Sequence, residues 1–117
     1  MKTDWQWLEE TAEREVEEIL GGLPDEIREV ARGVTVFFER VDPMGEDLLG
    51  VFEGADLSEE MVDPGSMPRI SLFLETIWEM CEGDRKLFRE EVHVTFLHEL
   101  GHYFGWDEDE VEERGLG

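Results

Sequence analysis

His98, Glu99 and His102 stand in the order H-E-x-x-H inside the stretch Glu90 to Gly105. On a helix, residues four apart lie one turn from each other on the same face, so imidazoles at 98 and 102 can grip a single metal ion. Glu99 is rotated around that face, where it can hold a water at the metal and take its proton. That is half of a zinc site. Gly105 falls where the helix would stop, because glycine adopts the left-handed conformation without steric cost. The chain can then turn back, and three residues on comes Glu108, flanked by Asp107 and Asp109. The whole pattern is H-E-x-x-H-x-x-G-x-x-E, with Glu108 in the last ligand place and Asp107 and Asp109 as alternates.

Neighbouring residues have plainer readings. His93 lies on a different side of the helix from His98 and reads as a non-ligand. Gly101, inside a helix, costs about 1 kcal/mol relative to Ala and points to close packing against the motif. Tyr103 is the only tyrosine; it can stabilise an oxyanion, although its place beside a ligand favours packing. Trp106 reads as packing that holds the turn to Glu108, and Cys81 as a small buried residue.

The chain around the motif bounds the possibilities. Its 117 residues suit one domain with one core. The formal net charge of −22 repels phosphate backbones and anionic lipid, which argues against nucleic-acid and membrane-surface roles and for a cationic partner or substrate. Four Trp and seven Phe separate it from a disordered acidic tail. A single cysteine permits no internal disulfide, and neither a leader-like nor a bilayer-length apolar run is present, so a cytoplasmic protein is expected.

The elements that must position the motif follow from periodicity. Thr3 and Gln6 are spaced as a capping box ahead of an amphipathic helix to about Leu20, which Gly21-Gly22 should break. A short helix then starts at Pro24 and stops at Gly33. Strands are expected at Val34 to Glu39, at Leu48 to Glu53, where Gly50 suggests a bulge or a close approach, and centrally at Ile70 to Leu74. Gly54 to Pro68 reads as a long loop, Thr76 to Cys81 as a short helix, and Asp107 to Arg114 as a short acidic helix. Asp84 caps the motif helix, from about Arg85 to Phe104, whose apolar residues are spread widely enough to suggest burial all round. The fold expected is α+β, a small three- or four-stranded sheet packed against the N-terminal and motif helices.

The motif from His98 to Glu108 resembles the signature of the zincin metallopeptidases. The order of the whole chain, including Leu49-Gly50-Val51-Phe52-Glu53-Gly54, is similar to that of small bacterial zincin-like proteins known as minimal metallopeptidases. Two departures stand out: the last ligand place holds Glu108 where that group usually has Asp, and the chain is too short for the subdomain that walls the cleft of larger zincins. A third ligand other than His, and no Met after the motif, separate it from the metzincins. The resemblance implies a zinc-dependent hydrolase acting on peptides, with Glu99 as general base and Leu48 to Glu53 as an edge strand that pairs with an extended substrate. Larger zincins supply an oxyanion donor, for which Tyr103 and Arg69 are the candidates. Weak turnover of short or unfolded, preferably basic peptides is therefore expected. The alternative is a non-catalytic zinc-binding structural or interaction module.

Overall fold

The computed structural model describes residues 4–55 and 67–105. In chain order these form α1 (Trp5–Gly22), α2 (Asp25–Ala31), β1 (Thr35–Glu39), β2 (Gly50–Glu53), β3 (Arg69–Phe73), α3 (Leu74–Met80) and α4 (Arg85–Tyr103). The result is the α+β arrangement expected, with three strands and a C-terminal helix that carries the motif. Most of the loop read between Gly54 and Pro68, and the acidic helix read after Asp107, lie outside the described residues.

In α1, Leu8, Ala12, Val16 and Ile19 recur at intervals of three or four and form the buried stripe. Asp4 is its N-cap, accepting a hydrogen bond from the Trp7 amide at 3.3 Å, while the Gln6 side chain bonds Glu10 instead of closing a capping box. The helix also continues through Gly21-Gly22. Two helical glycines cost only about 1 kcal/mol each, which tertiary packing outweighs. What ends the helix is Leu23, held extended ahead of Pro24, whose ring disfavours the helical conformation in the residue before it. Arg28 of α2 reaches back to donate to the carbonyls of Leu20 (3.1 Å) and Leu23 (3.0 Å), tying the two helices together.

The sheet order is β1-β3-β2, with β1 parallel and β2 antiparallel to β3. This accounts for the composition of the strands. Central β3 is buried from Ile70 through Phe73, whereas in β1 half-buried Val36 and Phe38 alternate with exposed Thr35, Phe37 and Glu39. Among the described strands β2 is an edge. β3 passes directly into α3 at Leu74, two residues earlier than the sequence suggests, and the Glu75 amide donates to the Arg40 carbonyl at 3.0 Å.

Asp84 caps α4 by accepting from the amides of Lys86 (3.0 Å) and Leu87 (3.1 Å). Trp7 of α1, Trp78 of α3 and Phe88 of α4 meet with ring centroids 5.5–5.7 Å apart, fixing the first half of α4 against the other helices. The core continues through Val92, Phe96 and Leu100, all fully buried. Burial of α4 all round is not realised. Leu87 and Val94 are 46% and 45% exposed, because the helices on one side and the sheet on the other leave an outward stripe uncovered.

Candidate active site

α4 runs along the edge strand β2 in the same direction. Thr95 stands over Gly50, and one helical stretch later Tyr103 packs on Phe52 with ring centroids 5.9 Å apart. The motif residues lie between those two contacts, so β2 flanks them.

Gly50 is what lets the strand come this close. A β-carbon there would stand 2.8 Å from Thr95 Cγ2 and 3.1 Å from both the Leu72 side chain and the Ser71 carbonyl. Thr95 and Leu72 are buried and Ser71 offers backbone, so nothing can give way cheaply. Gly50→Ala is expected to destabilise the fold by about 1–3 kcal/mol, measured as a lowered denaturation midpoint. Gly21→Ala, at a helical site with nothing within 4 Å, should instead be neutral or stabilising by up to about 1 kcal/mol. Equal midpoints for the two variants would show that β2 is not seated on Thr95.

His98 and His102 turn their rings toward each other edge to face, with Nε2 atoms 3.3 Å apart. Two nitrogens each about 2.0–2.1 Å from one tetrahedral zinc lie about 3.3 Å apart, so the pair already has the separation that a shared ion requires. Glu99 completes the group: its carboxylate and the two imidazoles each offer an atom, and these atoms all lie within 4.8 Å of one another. Its side chain sits at the limit of burial, the residue being 9% exposed, and such a carboxylate stays inside only with something to do there. Two imidazole nitrogens at this separation, with a carboxylate beside them, suit zinc. Gly105, with φ +83°, ends the helix as its amide donates to the His102 carbonyl at 2.9 Å. Trp106, Asp107, Glu108 and Asp109 lie outside the described residues.

Beside this cluster is a cavity of about 240 Å³, lined by Leu49, Gly50, Glu91, Val94, Thr95, His98 and Glu99. Gly50 of the edge strand forms part of its wall. Neither oxyanion candidate is among its lining residues. Burial pushes the Tyr103 phenol above its ordinary pKa, and its hydroxyl lies against Gly33, 3.0 Å from where a β-carbon would sit. Arg69 pairs with Glu53 at 3.1 Å, at the opposite end of β2 from Gly50. His93 faces α1, with Nδ1 3.9 Å from the Glu15 carboxylate. Cys81 is buried, and desolvation, followed by the nearby charges of Glu91 and Asp84, raises its pKa, which keeps it an unreactive thiol.

A family model described as zincin-like metallopeptidase matches residues 31–117. The chain belongs to this family. No curated protein matches it. The matched span takes in the sheet, α3 and the motif helix, while α1, which packs on α4, precedes it. Missing from the sequence reading are the residues that extend the site, namely Glu91, Val94 and Thr95. They precede His98 by seven, four and three positions, so helical periodicity alone puts them on the stripe that leads to His98 and Glu99. No helix among the described residues is long and apolar enough to cross a membrane.

Proposed function

We propose that this chain is a zinc-dependent peptidase that cleaves short or unfolded peptides slowly, favouring basic ones. The observation that carries the reading is the Nε2 pair at 3.3 Å with Glu99 in the same cluster, beside a cavity walled in part by Gly50 of an edge strand. His98 and His102 hold the ion, and the third ligand comes from the acidic triplet, with Glu108 first and Asp107 or Asp109 as alternates. A zinc ion held there supplies Lewis acidity, lowering the pKa of a bound water and polarising a carbonyl. Glu99 accepts the proton of the attacking water and returns it to the leaving amine; its shielded position keeps that carboxylate aimed and its proton out of bulk solvent. Among the described strands β2 is an edge, and its outer side offers backbone groups to an extended peptide, which a folded protein cannot present.

Slowness follows from the absence of an oxyanion donor among the described residues that line the cavity. Arg69 is engaged by Glu53, Tyr103 is turned to Gly33 and neither candidate donor lines the cavity, and loss of one such donor costs about 10²–10³ in rate. The net charge of −22 concentrates cationic peptides near the surface.

The test is cleavage of a broad set of unstructured peptides by the zinc-loaded chain. Cleavage should stop with a chelator, return with zinc, and be nearly absent on folded proteins. Chelator-insensitive cleavage would remove the reading. Zinc binding with no cleavage of any peptide would favour the non-catalytic metal-binding module.

A further inference from the structure

The cavity beside His98 and Glu99 reaches N-terminally along α4 as far as Glu91. Glu91, Val94, Thr95, His98 and Glu99 stand at i, i+3, i+4, i+7 and i+8, so they form one continuous stripe, and Leu49 and Gly50 make the opposite wall. The chemistry changes along its length. The metal-site residues are at one end, Leu49, Val94 and the Thr95 methyl give an apolar middle, and a carboxylate stands at the other end.

Glu91 is half-buried, and among the described residues no ion pair or hydrogen bond engages its side chain. The cations of the same helix are directed elsewhere. Lys86 and Arg89 line a neighbouring groove with Glu15 and His93, which meets this cavity at Val94, and the Arg85 guanidinium lies over the Trp7 ring. A partly desolvated carboxylate at the end of an apolar channel is complementary to a side chain with an aliphatic stem and a cationic head.

We propose that Glu91 is the specificity-determining residue of this site, selecting a lysine or arginine one or two positions from the bond to be cleaved. The inference rests on the peptidase reading and names the residue behind its basic preference. Seven residues of helix separate Glu91 from His98 by about 10 Å. One extended peptide residue covers about 3.4 Å of that distance, and the stem of a basic side chain lying along Leu49, Val94 and Thr95 covers the rest.

Binding tests this without requiring turnover. The probes are unstructured peptides, acetylated at the amino terminus and amidated at the carboxyl terminus, with lysine or acetyl-lysine at each successive position. They are titrated by fluorescence anisotropy into the zinc-loaded full chain carrying Glu99→Gln, and into the same chain with Glu91→Gln added. At one position lysine should bind about tenfold or more tighter than acetyl-lysine, and Glu91→Gln should collapse that ratio. Glu91→Lys should reverse it in favour of a glutamate-bearing peptide.

Glu91→Gln removes only one of 22 net negative charges, and at about 0.15 M salt charges are screened beyond about 8 Å, so general attraction cannot produce the collapse. A lysine to acetyl-lysine ratio that is unchanged by Glu91→Gln, or no binding of any peptide, overturns the proposal. Cleavage by the chain with Glu99 intact is followed in parallel. Cleavage with a Glu91-independent ratio leaves the peptidase reading and removes this one, while a Glu91-dependent ratio without cleavage does the reverse.

Discussion

Glu99→Gln is expected to keep the metal at the wild-type level and to lower peptide turnover by about 10²–10⁴-fold. Glutamine has the shape of glutamate and can still hydrogen-bond, but its amide cannot accept a proton at neutral pH. The substitution therefore separates holding a water from deprotonating it. Glu99 is adjacent to His98, and a purely structural metal site has no use for a carboxylate at that place. Turnover and metal content are measured on the same preparation. Retained zinc with lost turnover assigns Glu99 the base role. Turnover that survives the change would mean that another group, or a contaminating enzyme, does the chemistry.

Replacing both His98 and His102 with Ala should abolish the binding of about one equivalent of zinc, because two of the ligands then vanish together. The Nε2 separation of 3.3 Å makes these two nitrogens a single chelating unit, so either single replacement should also cost more than the 10–100-fold typical of a residue that merely supports a ligand. Glu108→Ala should weaken binding far more than Asp107→Ala or Asp109→Ala, since Glu108 holds the last place of the motif after the Gly105 turn. Metal analysis by mass spectrometry on each variant reads all of this. Equal zinc in the wild type and the double variant would remove the site, and the opposite ranking among the acidic residues would move the third ligand to a neighbour of Glu108.

Legibility in the sequence follows locality. His98, Glu99 and His102 could be read because one turn of one helix brings them together, and Asp84 could be read as the cap because its partners are two and three residues away. Gly50 could be flagged as a close approach, yet Thr95, the residue that approaches, lies 45 positions along the chain and leaves no local mark. The same non-locality hid the cavity: Glu91 and Val94 obey the helical period of the motif, but that stripe acquires meaning only when Leu49 and Gly50 face it. At Gly21-Gly22 the weak propensity of glycine suggests a stop, whereas the backbone restriction imposed by Pro24 decides where α1 ends. Apolar content suggests an α4 buried all round, yet Leu87 and Val94 stay exposed, because that content does not reveal how many neighbours a small fold can supply.

The mixed sheet also bears on the order in which the molecule assembles. Thr35 pairs with Arg69 in parallel, 34 positions apart, a register that no hairpin can nucleate, and the cost of closing that loop must be met before the pairing returns any contact. The two histidines need only one turn of helix. During refolding, metal capture by α4 can therefore precede docking of β1, so ion uptake and growth of the β signal are expected as separable kinetic events.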